Sequence, residues 1–425
     1  MSAHTSSLQE RKRRMAPPQW ARRCLRGIPL IAGLLLVVSG AAAGSSSAST
    51  TSVLSSSSPP PPYPLSSSRR QDGFDFPAAA EAAVEALMST YANDTGLWGV
   101  PADPWYQSGM ALQAVLDYTA ATGSRRYLDA ALHTVEQQRG PLPWWPEGGG
   151  EFRADSTDDT GWWALALTTL HELTADPEWL RVARLDEAYM FAYWNTTTCG
   201  GGLIWDIETR EYHNAISNEL YLALTARLSL LLGGEDGGDY YRNQSRLEWD
   251  WFAASGMINA EGLVNDGLTQ DAACANNGAP TWTYNQGVLL GGLVDLHAAT
   301  GDAAYLARAR AVADAVLASA LLVQDGGILT EPCPAGSADC AVDAPIFKGV
   351  FVRYLAKLDR ALERLEGQRP YYAFIEANAR SAYDVARSRN GSGTGDFYGY
   401  MWQAPFDTSS LARQVSAVNL MVAGL

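Results

Sequence analysis

Histidine and cysteine are scarce, with five of each in 425 residues. His133, His171, His213 and His297 are scattered, and no His-Glu-x-x-His occurs. No metal or other cofactor is therefore expected. His171 falls inside a helical pattern and reads as a packing or solvent-facing residue. The glycine runs at 148–150 and 200–202 lack a following Lys-Ser/Thr, so they read as turns rather than phosphate cradles. Basic residues are also in the minority. Lys and Arg number 31 against 46 Asp and Glu, giving −15 at pH 7 and a pI near 4.8. Binding to a phosphate backbone needs a basic footprint, which excludes nucleic acid as the main partner. Charged residues make up only 18%, too few for a chain that is disordered or coiled-coil throughout. What the chain does have is 47% apolar residues, 14 Trp and 19 Tyr. That is enough for a large core, and the aromatic, acidic, histidine-poor balance suits carbohydrate.

Residues 1–43 read as a secretory signal peptide. Seven basic residues from Arg11 to Arg26 precede a short apolar run, Ile28 to Val38, and Ala41-Ala42-Ala43 offers a small-residue cleavage site. The run is too short to span ~30 Å of hydrocarbon comfortably, so no stable membrane insertion is expected after cleavage. Losing residues 1–43 removes seven basic residues and one acid, leaving −21. Residues 44–73 are Ser/Pro-rich with Pro59-Pro60-Pro61-Pro62 among them, and read as a linker. No second long apolar run follows. The stretch from Val415 to Leu425 reads as an ordinary final helix rather than a lipid-anchor signal. Asn-x-Ser/Thr sequons at Asn93, Asn195, Asn243 and Asn390 fit a secreted or cell-wall-associated glycoprotein. Outside the leader, Cys199, Cys274, Cys333 and Cys340 allow three pairings. An oxidising compartment favours disulfides, and the expected pairs are Cys199–Cys274 and Cys333–Cys340.

From Phe74 to Leu425 the periodicity is helical. Trp162 to Leu173 carries apolar residues at three- and four-residue steps, and Asn218 to Leu232 is apolar nearly all round. Ala303 to Leu322 is Ala-rich and amphipathic. A recurring break separates the helices: Thr122-Gly123-Ser124, Thr174-Ala175-Asp176 and Thr300-Gly301-Asp302, each followed by an aromatic–Leu pair. Weaker versions sit at 233–241 and 367–372. Spacings of about 50–70 residues fit helical hairpins. Six of them closing on themselves predict an all-α (α/α)6 toroid over 74–425. An open helical solenoid is the alternative.

Carboxylates are the remaining chemistry. Asp158 and Asp159 stand at the start of a predicted inner helix. Spacing alone also fits helix capping. Glycoside hydrolysis, however, needs two carboxyl groups around one acetal, one of them protonated near neutral pH. Adjacency and burial beside Trp raise a carboxyl's pKa. The surroundings suit a sugar cleft. Trp144 and Trp145 precede the pair, and Trp162 follows it. The stretch containing Asn218 opens another predicted inner helix, and Trp282, Tyr284, Asn285 and Gln286 open a third. Aromatic faces stack on pyranose C–H surfaces and amides bond vicinal hydroxyls. Inner helices of a toroid run in one direction, so these starts should meet on one face.

Four stretches in order carry a family resemblance: Asp158-Asp159-Thr160-Gly161-Trp162-Trp163, Asn214-Ala215-Ile216-Ser217-Asn218-Glu219-Leu220, Trp282-Thr283-Tyr284-Asn285-Gln286-Gly287, and Phe347 to Leu355. In these the chain resembles glycoside hydrolase family 76, the α-1,6-mannanases. The resemblance implies an (α/α)6 barrel, no metal, and retention of configuration, with Asp158 as nucleophile and Asp159 as acid/base. Two departures touch subsite details. Ala154-Asp155-Ser156-Thr157 precedes the pair where the family often has aromatics, and His213 stands where a lysine is usual. The reading is a secreted, monomeric, endo-acting hydrolase of α-mannan polysaccharide or oligosaccharide. The alternatives are a mannan transglycosidase acting in cell-wall assembly and an inactive wall-polysaccharide-binding protein.

Overall fold

The computed structural model describes residues 73–425, apart from 235–236, 325, 334–338 and 389–394. The expected leader, nearly all of the expected linker and the Asn390 sequon lie outside the described residues.

Twelve helices organise the described residues. They are α1 (Phe76–Met88), α2 (Trp105–Thr122), α3 (Leu128–Gln138), α4 (Thr157–Thr174), α5 (Pro177–Phe191) and α6 (Ala215–Leu232), followed by α7 (Gly238–Ala254), α8 (Thr283–Thr300), α9 (Ala303–Ala318), α10 (Ala344–Glu366), α11 (Tyr372–Ser381) and α12 (Leu411–Ala423). A single turn, Asp339–Val342, precedes α10. The even-numbered helices form a ring. Each packs on the next, and α12 closes on α2. The odd-numbered helices lie outside. This is the expected (α/α)6 toroid.

Burial follows the sequence pattern. Every residue from Ala215 to Ala226 of α6 is buried, as a helix enclosed by helices requires. On α9 only Leu306, Ala309, Val312, Ala313 and Val316 are buried, one stripe at helical spacing. Inner helices approach closely at two motif glycines. A Cβ on Gly287 would lie 2.6 Å from the Phe351 Cα, and one on Gly349 would lie 2.4 Å from the Ser416 Cα. No larger residue fits either position without separating the helices.

The recurring break is one joint built three times. Gly123, Ala175 and Gly301 each end an inner helix in the left-handed region. Thr122, Thr174 and Thr300 each donate a hydroxyl 2.7 Å back to the carbonyl four residues earlier, and each accepts from the amide two residues on. Asp176 and Asp302 then cap the next outer helix. His171 belongs to this joint: its Nδ1 lies 2.7 Å from the Asp176 carbonyl oxygen.

Helix α9 stops at Ala318, short of the Leu322 that periodicity suggested. Ser319 turns extended there and feeds the pair β3 (Val323–Gln324) and β4 (Ile328–Leu329). A similar pair, β1 (Tyr91–Ala92) and β2 (Leu97–Trp98), precedes α2. Disulfides join Cys199 to Cys274 and Cys333 to Cys340. The first ties the loop before α6 to the loop before α8. Asn93 and Asn243 are exposed, whereas Asn195 is half-buried and its amide donates 2.6 Å to the Thr198 hydroxyl. No helix among the described residues is long and apolar enough to cross a membrane.

Candidate active site

The acidic pair sits in the first turn of α4, held there by buried hydrogen bonds. The Thr157 amide donates 3.0 Å to the Trp205 carbonyl. The Thr157 hydroxyl reaches the Ile204 carbonyl at 2.9 Å and Ser217 Oγ of α6 at 2.8 Å. These contacts sew the loop before α6 onto the start of α4. They place the Trp205 indole N–H 3.0 Å from Asp158 Oδ1, which also accepts from the Asp159 amide at 2.9 Å.

The two carboxyls are electrostatically unlike. Burial raises Asp158 to about 6, while donors from Ser156, the Asp159 amide and Trp205 stabilise its anion and hold it there. Burial also raises Asp159, to well above the usual carboxylate range. The negative charges of Asp158, Asp155 and Asp343 add to the effect. Of the two, Asp159 is the harder to ionise.

Inner-helix starts meet around this pair. The Tyr284 ring of α8 stacks on Phe347 of α10 at 3.8 Å and lies parallel to Trp162 of α4 at 6.5 Å. Trp282 meets the same Phe347 edge-on at 5.7 Å. Burial pushes the Tyr284 phenol up, and so do the charges of Asp266, Asp158 and Glu219. The Tyr106 hydroxyl at the start of α2 donates to Asp343 at 2.5 Å. Trp144 donates to Asp155 and meets Trp105 edge-on at 6.1 Å. Asp158, Asp159, Trp144, Trp162, Trp282 and Tyr284 therefore gather at one end of the ring.

Four of the expected sugar-contacting residues are placed otherwise. Asn218 is fully buried: its Oδ1 accepts from the Leu203 amide at 2.7 Å, and its Nδ2 donates to the Leu203 and Asn214 carbonyls. Gln286 repeats the device on α8, with Oε1 on the Val264 amide and Nε2 on the Val264 and Trp282 carbonyls. Each amide pairs with one loop residue as a strand neighbour would, and fastens that loop to its helix. Asn285 is fully buried within the helix layer. Trp145 points its indole N–H at Tyr189 of outer helix α5, 3.0 Å away. These side chains shape the site from behind.

The sequence reading missed Trp205, Asp155, Tyr106, Asp343 and Phe347. Two faint clues were available. Asp343 stands immediately before α10 and Asp155 two residues before α4, whose first turn holds Asp158, and Phe347 lies in the fourth motif. Trp205 had no sequence signal, because it arrives through a loop. His213 is buried, and desolvation holds its imidazole below the ordinary histidine value. Among the described residues, no group of three or more His, Cys, Asp and Glu side chains is placed to hold a metal ion.

With this geometry in view, the comparisons with known proteins are specific. The family model described as Glycosyl hydrolase family 76 matches residues 76–425. Mannan endo-1,6-alpha-mannosidase DCW1 of Saccharomyces cerevisiae is 27% identical over 351 residues, 76% of this chain and 73% of the relative. Mannan endo-1,6-alpha-mannosidase DFG5 of Candida albicans is 25% identical over 78% of this chain and 74% of its own. Among solved structures, the GH76A α-1,6-mannanase from Salegentibacter sp. HEL1_6 superposes with a TM-score of 0.70 at 24% identity, covering 82% of this chain and 99% of that one. An inactive variant of that enzyme in complex with α-1,6-mannotetrose gives the same TM-score at 23% identity, covering 83% of this chain and 99% of its own. These structural likenesses establish the fold.

Proposed function

The chain belongs to glycosyl hydrolase family 76, and from that premise we propose that it hydrolyses α-1,6-mannosidic bonds within mannan chains. Both yeast relatives above bear the name mannan endo-1,6-alpha-mannosidase. The observation that carries the reading is the unlike surroundings of two adjacent buried carboxyls. Asp158 is steadied as an anion by the Trp205 indole and an amide of the α4 first turn, while Asp159 is pushed toward its protonated form by other acids.

That contrast supports double displacement. Asp158 attacks the anomeric carbon as Asp159 gives its proton to the departing glycosidic oxygen. Asp159, now a carboxylate, takes a proton from water, and the water oxygen displaces Asp158 from the glycosyl-enzyme. Two inversions return the original configuration. Trp162 and Tyr284 offer faces to pyranose rings. The leader and sequons support action outside the cell or at its wall.

Linear α-1,6-mannan tests the proposal. The expected products are short oligosaccharides, read by mass, whose new reducing ends first appear as the α anomer by NMR. Added oligosaccharide acceptor separates hydrolysis from transfer, since transfer would lengthen the acceptor at the expense of free products. Intact polymer after prolonged incubation overturns the proposal.

A further inference from the structure

The far end of the ring holds a second cavity, about 420 Å³ in volume and lined by all six inner helices. One feature distinguishes it. Arg353, Lys357, Arg360 and Arg364 follow one another on α10 at steps of four, three and four, so they form a single stripe, and all four line the cavity. Arg227 of α6 adds a fifth cation.

Three side-chain carboxylates face the same space, and each is taken. Asp117 of α2 pairs with Arg353, Glu172 of α4 with Arg227, and Asp295 of α8 with Lys357. Arg360 and Arg364 have no carboxylate within ion-pair distance among the described residues. Arg360 donates to the Ala423 carbonyl at 3.0 Å, which occupies one edge of its fork. Burial depresses this guanidinium and the charges of Arg369 and Arg364 depress it further, partly offset by the more distant carboxylates of Asp117 and Asp359. A half-buried guanidinium facing more positive charge is stabilised by any anion that enters. In a chain of net charge −15, this local positive excess stands against the overall balance. Paired planar guanidiniums match a tetrahedral oxyanion in geometry as well as charge.

We propose that this cavity, at the opposite end of the ring from Asp158, is a binding site for a phosphate-class oxyanion held by Arg360 and Arg364. The volume exceeds what one phosphate needs, since a water occupies about 30 Å³, so a small sugar phosphate also fits. The site is independent of the mannan reading, because none of its residues touches the acidic pair.

The test uses the whole secreted protein. Calorimetric titration with inorganic phosphate, at constant ionic strength in chloride, should show one saturable site, and phosphate should raise the melting temperature. Arg360→Gln/Arg364→Gln should weaken binding by about a hundredfold or more, because it removes both charge-assisted donors, while mannan hydrolysis stays at the wild-type rate. A second arm uses a hexose 6-phosphate. Tighter binding than phosphate assigns the site to an ester, and equal or weaker binding assigns it to the free anion. If the double variant does not fold, Arg364→Gln, exposed at the mouth, is measured alone against the same expectation of weaker binding. No heat and no thermal shift with either probe, or unchanged binding in the variant, overturns the proposal.

Discussion

The two ends of the ring are made by the same six helices, yet they handle charge in opposite ways. At the N-terminal end, Asp158 and Asp159 have no salt-bridge partner among the described residues, and their neighbours Asp155 and Asp343 take donors from Trp144 and Tyr106. The one lysine in that layer, Lys348, is spent on the Tyr400 carbonyl and the faces of Tyr400 and Trp402. At the C-terminal end, Asp117, Glu172 and Asp295 each meet a cation. Helix dipoles explain part of the asymmetry: amides at an N-terminus tolerate an anion, whereas carbonyls at a C-terminus favour cations. The rest is chemistry. A salt bridge would lower an acid's pKa and leave it unable to donate a proton at neutral pH. Uncompensated burial keeps Asp159 protonated. Unpaired acids suit the first end to the proposed reaction, and ion pairs suit the other to stability.

The largest expected effect breaks the reactive end. Asp158→Asn and Asp159→Asn should each cut kcat on α-1,6-mannan by about 10⁴-fold or more, with circular dichroism unchanged. Near-wild-type turnover in either variant removes that residue from its role. The matching break at the stable end is Asp117→Asn, which leaves Arg353 without its carboxylate. It should lower unfolding free energy by about 3 kcal/mol in denaturant titration, with kcat on mannan unchanged. A loss of activity without a loss of stability would show that the two ends are not separable.

Next comes pH. Turnover should fall on the acid side as Asp158 takes up a proton, with a midpoint near about 6, and on the alkaline side as Asp159 loses one. Trp205→Phe removes a donor that favours the Asp158 anion, so the acid limb should move to higher pH by up to about one unit. An unmoved limb would show that the indole does not act on the nucleophile. The smallest effect is on stability and has the opposite sign to the first. A carboxyl whose folded pKa is raised is most favourable while protonated, and its contribution is lost as pH rises from the unfolded value near 4 through the folded one. Asp159→Asn removes that loss, so the inactive variant should melt a few degrees higher than wild type at pH 7. It should gain nothing near pH 4. A melting point at or below wild type at pH 7 would refute the burial argument.

Much of this was legible in the sequence. All-round apolarity marked α6 as enclosed, the Thr-Gly/Ala-Asp breaks marked the joints, and the motifs at inner-helix starts marked the end where Asp158, Trp162, Trp282 and Tyr284 gather. The amides were misread for a physical reason. Asn218 lies four residues after its cap, Asn214, and a helical side chain leans back toward the N-terminus. From there it meets the arriving loop and the cap's own carbonyl, so it acts as a peptide surrogate. Composition cannot separate an amide that faces a sugar from one that faces a loop. Trp205 was illegible because its position depends on hydrogen bonds between the Ile204–Trp205 backbone and Thr157, 47 residues apart at the nearer contact.

The closure of α12 on α2 and α1 also bears on how the chain is made. A ring differs from a stack in that its first helices have no neighbour on one side until its last arrives. At roughly 5–20 residues per second, α1 and α2 wait about 20–70 s with apolar surface uncovered. During that interval α1, whose Ala83 carbonyl will accept from Gln414 of α12, lacks the cover that α12 will supply. Synthesis therefore leaves that apolar seam uncovered longer than any other contact of the ring. Loss of α12 would leave that seam open permanently, so truncation there should give aggregates rather than a smaller soluble domain.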